Sequence, residues 1–425
     1  MKPKTLYAKD AHGLDEKQIA QALQEYLKEK KQCLRKVLLI PPDFTRYHSN
    51  AGLIVQVLYG ILAPNVQVDI LPALGTHVPV SPSEWACMFG SVPYDRMLVH
   101  NWRTDVDEIG EVPGELVKDV SEGLMDAPIP VEINRRLLEP AYDLILSIGQ
   151  VVPHEVVGMA NYSKNIFVGC GGSRMISSSH MLGAFYGLER IMGKDKTPVR
   201  RVLDYAEEHF IQHLPLEYIL TVTDAPGGHI RTHGLFMGRQ RKLFEEAVAL
   251  AQKKNIIALE KPIKRAVVLL DEKEFKSTWL GNKAVYRTRM AIKDDGDLIV
   301  LAPGVDKFGE DKEVDKLIRK YGYKGREYVL KQVNEQDDLQ CNLSAAAHLI
   351  HGSSDGRFSI TYCTRGLPKN EVESVGYGHM PYDEAIKRYS PDTLTEGYNT
   401  LADGEEIFYI SNPALGLWMD KSRLG

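Results

Sequence analysis

Short apolar runs that stop abruptly at polar or glycine-bearing loops recur along this chain, and they constrain its fold more than any other feature. Val37-Leu38-Leu39-Ile40 stops at Pro41-Pro42 and delivers Asp43-Phe44-Thr45-Arg46. Val66 to Leu74 ends at Gly75-Thr76-His77, and Tyr142 to Gly149 is followed by Pro153-His154. The pattern returns at Ile219 to Val222, Val267 to Leu270, Leu298 to Leu301 and Phe358 to Tyr362. Runs this short, with little polar alternation, read as strands buried on both faces. Helical stretches lie between them. Asp15 to Glu29 sets Ile19, Leu23, Tyr26 and Leu27 on one face, Ile54 to Leu62 is a second helix, and a third begins near Glu84-Trp85 behind a capping Ser83. Strands alternating with helices predict an α/β fold with largely parallel sheets flanked by helices. In such sheets ligands gather beyond the carboxyl ends of the strands, which is where Arg46, His77 and His154 stand.

At 425 residues the chain exceeds one ordinary domain of about 100–200 residues. The polar helix Arg239 to Lys254 and the Lys261-Pro262-Ile263-Lys264 stretch after it place a boundary near residue 260. The expectation is a first α/β domain over residues 1–260 and a second over 261–405. A tail over 406–425, apolar from Ile407 to Trp418, is expected to pack back on the first domain. The active site is expected in the cleft between the domains. With 57 acidic against 52 basic residues, net −5, nothing suggests a polyanion-binding surface, so nucleic acid is not an expected partner. No apolar run reaches the roughly 20 residues that span a bilayer. The basic start Met1 to Leu6 leads into Lys9-Asp10-Ala11-His12 rather than an apolar segment. Cys33, Cys87, Cys170, Cys341 and Cys363 are widely spaced and form no CxxC pair. A cytoplasmic protein is the expectation.

The stretch from Pro153 to His180 is richest in chemistry. It holds His154, Lys164, Arg174, His180 and the turn Gly169-Cys170-Gly171-Gly172. Glycines allow positive φ and close backbone approach to a ligand. They form neither GxGxxG nor a P-loop, since Lys164 precedes them, and a tight turn explains them as well as a ligand loop does. Neutral imidazole ligates zinc or nickel, so His77, His154 and His180 are candidates for direct metal binding, although zinc-finger and HExxH spacings are missing. His229 and His233 stand at i and i+4 but are flanked by glycines and are expected in a loop. His348 and His351 are expected as cap or surface residues.

Three separated blocks resemble the lactate racemase family. Asp43-Phe44-Thr45-Arg46 resembles its D-H-T-R loop, and Gly75-Thr76-His77-Val78-Pro79 its G-x-H-R-P turn. His154, Lys164 and His180 have its histidine, lysine, histidine spacing of ten and then sixteen residues. The resemblance covers much of residues 37–185. It implies a racemase or epimerase of an α-hydroxyacid that uses nickel in a pincer nucleotide, pyridinium-3-thioamide-5-thiocarboxylic acid mononucleotide. It further implies Lys164 as the thioamide anchor, His180 as the metal ligand, His77 and His154 as the acid/base pair, and Arg46 as the group steadying the substrate. The nucleotide phosphate is expected on backbone N–H groups of Asp43-Phe44-Thr45 or of Gly171-Gly172-Ser173. Implied partners are a small hydroxyacid and dedicated cofactor-biosynthesis enzymes, without which recombinant protein can lack the cofactor.

Departures from the family pattern bear on the substrate. The family's S-G-G-R-K before the anchoring lysine is here Ala160-Asn161-Tyr162-Ser163-Lys164. Its Y-Q-x-x-K segment is matched to Val285-Tyr286-Arg287-Thr288-Arg289-Met290, which puts Met290 in the lysine's place, and Cys341 stands where a tryptophan is expected. Tyr286, Arg287 and Arg289 are therefore the expected substrate contacts. Guanidinium groups bind carboxylates bidentately, so a dicarboxylate or sugar acid is expected rather than simple lactate. A solvated helix face explains these arginines equally well. Two rival functions stay open: a metal-dependent hydrolase or sugar-acid dehydratase using the histidines directly, with Lys164 merely salt-bridged, and a non-catalytic ligand-binding homologue.

Overall fold

The computed structural model describes residues 2–29, 31–414 and 416–423. The chain divides into two compact units, Met1–Tyr186 with Arg190–Asn255, and Gly187–Glu189 with Ile256–Gly425.

The first unit is built on a six-stranded sheet. Its strands, in chain order, are β1 (Lys4–Tyr7), β2 (Lys36–Ile40), β3 (Gln67–Ile70), β4 (Leu144–Gln150), β5 (Leu216–Asp224) and β6 (Arg231–Gly238). Their spatial order is β1-β6-β5-β4-β2-β3. Strands β5, β4, β2 and β3 run parallel, and β6 and β1 close one side antiparallel. Successive side chains of a strand point to opposite faces, and here both faces are covered. Val37 and Leu39 pack with α1 (Glu16–Leu27) and α2 (Ala51–Leu62), while Leu38 and Ile40 pack with Ile166, Phe167 and Met175 on the other side. This is why β2 reads as an unbroken apolar run. Each such fully buried aliphatic contributes about 1.5–3 kcal/mol. Helix α1 starts at a capping box in which Asp15 accepts from the Gln18 N–H and Gln18 returns a bond to the Asp15 N–H.

The second unit holds another six-stranded sheet. Its strands are β7 (Ile263–Leu269), β8 (Ile292–Ala302), β9 (Phe358–Thr364), β10 (Gly378–Pro381), β11 (Gly397–Thr400) and β12 (Glu406–Ile410), in the order β10-β9-β8-β7-β12-β11. All its pairings are parallel except β11 with β12. Residues 406–425 were expected to return to the first domain. Among the described residues β12 pairs with β7, and Leu417–Asp420 pairs with Ile256–Leu259, a strand that precedes the boundary expected near residue 260 but belongs with the second unit. The apolar character of Ile407 to Trp418 is that of strands buried in this unit.

Other local expectations are corrected. Helix α3 (Pro82–Phe89) is capped by Ser81, not Ser83, because Glu84 at the third helical position completes a capping box with it. His233 lies on β6, at a bulge between Thr232 and Gly234, buried with its Nε2 3.1 Å from the Asp224 carboxylate. His348 and His351 are buried rather than superficial, and Trp279 stacks on His348 at 4.2 Å. Among the described residues, no helix is long and apolar enough to cross a membrane.

Candidate active site

Three loops at the carboxyl ends of β2, β3 and β4 bring Asp43, Arg46, His77 and His154 together. A fourth segment adds Lys164 and the helix α4 (Ser173–Tyr186) that carries His180. All belong to the first unit. Their proximity shows in how their charges act on one another: Arg46, Lys164 and His180 all bear on His154, and Asp43 and Arg46 bear on Lys164.

The Asp43 carboxylate is the N-cap of a short turn, Phe44–Ser49, and accepts from the Thr45 N–H at 3.0 Å and the Thr45 hydroxyl at 2.6 Å. Its other oxygen lies 2.5 Å from His77 Nδ1. Burial works to raise its pKa, but the charge and hydrogen bond of His77, with Thr45 and Arg46, hold it below the ordinary carboxylate value. An ionised carboxylate only accepts, so the neutral form of the His77 ring has its proton on Nδ1 and its lone pair on Nε2. Asp43 and Thr45, expected on the cofactor, here serve to orient His77.

His154 is buried, and its Nδ1 accepts the Val156 N–H at 3.1 Å. The neutral ring therefore carries its proton on Nε2. Burial pushes its pKa well below 6.5, against the pull of Glu155, whose carboxylate is 3.6 Å from Nδ1. His180 has the opposite arrangement. Its Nδ1 donates to the Ile176 carbonyl one helical turn back, at 2.7 Å. That leaves Nε2 unprotonated and able to donate a lone pair to a metal. Burial, first of all, brings its pKa down to about 4.

Lys164 is half-buried and sits at an unusual join in the backbone. Before it, Asn161 (φ 68°) and Tyr162 (φ 57°) are consecutive non-glycine residues in the left-handed region, a conformation costing about 1–2 kcal/mol per residue. After it, Asn165–Gly169 forms a π-helical turn. Both irregularities concentrate at functional sites. Burial and the nearby Arg46 charge, against Glu155 and Asp43, bring the Lys164 pKa from 10.5 to about 8. Part of the amine is then neutral, and nucleophilic, near physiological pH.

Much of the backbone of the glycine turn is engaged by the protein itself. The Glu132 carboxylate already accepts from the Arg174 N–H at 3.0 Å and the Met175 N–H at 3.4 Å, and its carbonyl from the Gly172 N–H at 3.3 Å. A protein carboxylate thus caps the helix start where Gly171, Gly172 and Ser173 were expected to receive the phosphate. The tight packing of the turn explains its glycines: a Cβ on Gly171 would fall 1.9 Å from the Phe167 carbonyl oxygen.

The arginines expected at the substrate have protein partners. Arg289 is buried and tied to Asp355 at 2.9 Å, to Glu189 at 2.7 Å and to the Ser353 carbonyl at 3.0 Å. Arg287 is buried and donates to the Gly416 carbonyl. Neither forms a solvated face, and both guanidinium groups are engaged within the second unit. Tyr286 is likewise buried, and Met290 belongs to the core. Residues missed by sequence reasoning are Glu132, Glu155 and Arg200, the last a fully buried cation beneath the Lys164 loop. Glu155 directly follows His154 at a strand end, a signal that could have found it, whereas Glu132 lies inside a strand and Arg200 inside a helix with no motif to mark them.

The donor set decides what metal chemistry suits the site. Among the described residues, no three histidine, cysteine, aspartate or glutamate side chains gather as a metal-holding group. A hydrolase-type centre built from His77, His154 and His180 is therefore not what the geometry supports. His180 offers one unprotonated imidazole nitrogen, and the half-buried Lys164 amine lies near enough for the two charges to interact.

Comparison with known proteins bears on the fold and on the first unit. Residues 6–190 match the model of the lactate racemase N-terminal domain. The chain is similar in structure to a protein from Thermotoga maritima determined as a structural-genomics target, with TM-score 0.84 and 22% identity over 97% of this chain and 99% of that one. It is also similar to the lactate racemase apoprotein from Thermoanaerobacterium thermosaccharolyticum, with TM-score 0.68 and 17% identity over 96% of this chain and 93% of that one. No curated protein matches the chain significantly. The resemblance to the lactate racemase family and the two-unit α/β fold are thus borne out.

Proposed function

From a first unit that matches the lactate racemase N-terminal domain, we propose that the chain is a racemase or epimerase of an α-hydroxyacid. The observation that carries this reading is the convergence of His77, His154, Arg46, Lys164 and His180 in one site, each imidazole with its tautomer set by a different partner.

Inverting a hydroxyl-bearing carbon requires groups that reach it from both faces. His77, held by Asp43, removes a hydroxyl proton at Nε2, and Asp43 stabilises the imidazolium that forms. His154 starts as a donor through Nε2–H and so hydrogen-bonds a substrate oxygen from its own side. Arg46 binds the substrate carboxylate. Lys164 would hold a nickel pincer nucleotide through a thioamide, and His180 Nε2 would ligate its nickel. When bound, that group supplies the hydride acceptor and donor. Dedicated cofactor-synthesis enzymes are the proposed partners, and the cytoplasm the proposed location. With Arg287 and Arg289 engaged in structure, no carrier remains for the dicarboxylate preference, and the substrate class is left at α-hydroxyacids.

The test has two parts. Protein produced with the cofactor-synthesis enzymes is weighed intact, and a mass adduct mapping to Lys164 and absent from Lys164→Ala is expected. The loaded protein is then given a panel of optically pure α-hydroxyacids. Loss of optical purity that disappears in both His77→Ala and His154→Ala supports the reading, and full activity in either variant refutes the two-histidine mechanism. Tight binding without exchange at the α-carbon would favour a non-catalytic homologue.

A further inference from the structure

We propose that Arg200 is a positioning residue for Lys164, its guanidinium holding residues 159–163 in the left-handed turn that presents the lysine to the site. This rests on the reading of Lys164 as the cofactor's anchor.

Arg200 lies in the first turn of α5 (Pro198–Phe210) and is 1% exposed. One terminal nitrogen, Nη2, donates to the Met159 carbonyl at 2.7 Å and the Asn161 carbonyl at 3.1 Å. The other, Nη1, donates to the Ser163 hydroxyl at 2.7 Å. That hydroxyl in turn donates to Asp204 at 3.0 Å. The guanidinium also lies over the Phe244 ring, 4.4 Å from its centroid. Three of the five residues before Lys164 are therefore tied to one cation brought in from about 40 positions along the chain.

The turn needs such a tie. Two adjacent non-glycine residues in the left-handed region do not persist unless their surroundings over-determine them. Tyr162 is fixed by stacking on Phe244, with centroids 5.1 Å apart, by its ring against Tyr218 at 4.4 Å, and by its hydroxyl on the Arg239 carbonyl at 2.9 Å. That clamps the ring but leaves the inward carbonyls of Met159 and Asn161 needing donors, because buried carbonyls are costly when unpaired. Only a planar fork reaches both carbonyls and the hydroxyl at once; an ammonium does not. The charge of Arg200 also acts on Lys164 in the direction that favours the neutral amine.

The test is trace labelling of cofactor-free protein with acetic anhydride across pH 6–11, the extent of modification at each lysine being read by peptide mass spectrometry. In the native chain Lys164 should reach half-reactivity near pH 8, below the exposed lysines. In Arg200→Gln the midpoint should move upward, so that the reactive fraction at pH 8 falls. Hydrogen exchange over residues 159–163 should accelerate as well. An unchanged Lys164 midpoint in a folded Arg200→Gln protein overturns the proposal. Should that variant not fold, it is made in an Asn161→Gly/Tyr162→Gly background, where the left-handed turn is no longer strained. Folding regained there, with the raised midpoint, supports the proposal. Failure to fold even there makes Arg200 an ordinary core residue and overturns it. Because no cofactor is involved, failure here is separate from failure to find an adduct at Lys164.

Discussion

Replacing Lys164 by methionine should make the protein more stable. The substitution keeps the length and apolar stem of the side chain and removes only the ionisable amine. In the folded protein burial, with the Arg46 charge, takes the Lys164 pKa from 10.5 to about 8. At about 1.4 kcal/mol for each tenfold change, that drop corresponds to about 3 kcal/mol by which the fold disfavours the ammonium. The sign follows from proton counting. Between pH 8 and 10.5 the unfolded chain still holds the proton that the folded one has released, so stability rises with pH across this window. Below pH 8 the penalty is present in full, and above 10.5 it is gone. Lys164→Met should therefore gain up to about 3 kcal/mol at pH 7, a large part of a typical total of about 5–15 kcal/mol, and the gain should vanish by pH 10.5. Lys164 is half-buried, so this is an upper bound. Urea unfolding of the two proteins at pH 7, 8, 9 and 10 reads the difference directly, and other titrating groups cancel in the comparison. A variant no more stable than the parent at pH 7, or a gain that stays constant with pH, refutes the reasoning.

Three further outcomes are expected. Asp43→Asn removes the carboxylate that fixes His77 and should lower turnover of cofactor-loaded enzyme by about 10²–10⁴-fold, with the fold retained by circular dichroism; near-native turnover would show that the 2.5 Å contact is not used. Glu207, raised by burial from 4.5 to about 7 despite its bonds to Tyr218 and Arg239, stabilises the fold fully below pH 4.5 and loses that contribution as pH rises to 7. Glu207→Gln should therefore flatten the stability profile across that window by at most about 3 kcal/mol, measured by denaturation from pH 4.5 to 8. Arg289→Met should destabilise the chain by roughly 1–3 kcal/mol, its carboxylate partners being part-exposed, while leaving KM for the hydroxyacid unchanged; a KM effect without a stability effect would return Arg289 to the substrate site.

Much of the architecture is legible in the sequence because strands buried on both faces leave a local signature. Val37 to Ile40 needs no partner to be recognised as such a strand, and its end announces where Arg46 will stand. What stays hidden is whatever depends on residues far apart in the chain. Nothing near Asp43 says that it will meet His77, 34 positions on. Nothing near Arg200 says that its carbonyl partners lie at 159 and 161. The cap at Ser81 rather than Ser83 turns on one side chain, Glu84, reaching back. The arginines after Tyr286 carry the composition of a binding site, but only the fold shows that Asp355, Glu189 and backbone carbonyls have taken them. Backbone conformation is equally hidden, since Asn161 and Tyr162 are not residues from which consecutive left-handed turns are read.

In the proposed mechanism one residue type serves three purposes, and the atom facing Nδ1 decides which. A carboxylate at His77 takes the Nδ1 proton and steadies a positive ring, so Nε2 is suited to gaining a proton. A backbone carbonyl at His180 also takes the Nδ1 proton but brings no full charge, and burial opposes a positive ring, so Nε2 stays a neutral donor for a metal. A backbone N–H at His154 reverses the tautomer, so Nε2 begins as a proton donor to substrate oxygen rather than as a base. For His154 to act as base, the ring must give up the Val156 contact and place its proton on Nδ1, 3.6 Å from the Glu155 carboxylate. The two histidines are thus not equivalent at rest, and Glu155 lies by His154 as Asp43 lies by His77, at a looser distance. Glu155→Gln should therefore impair the reaction starting from one enantiomer in kcat more than from the other, whereas Asp43→Asn should show the opposite bias. Equal effects of both substitutions on both enantiomers would mean that the ring tautomers do not set the division of labour.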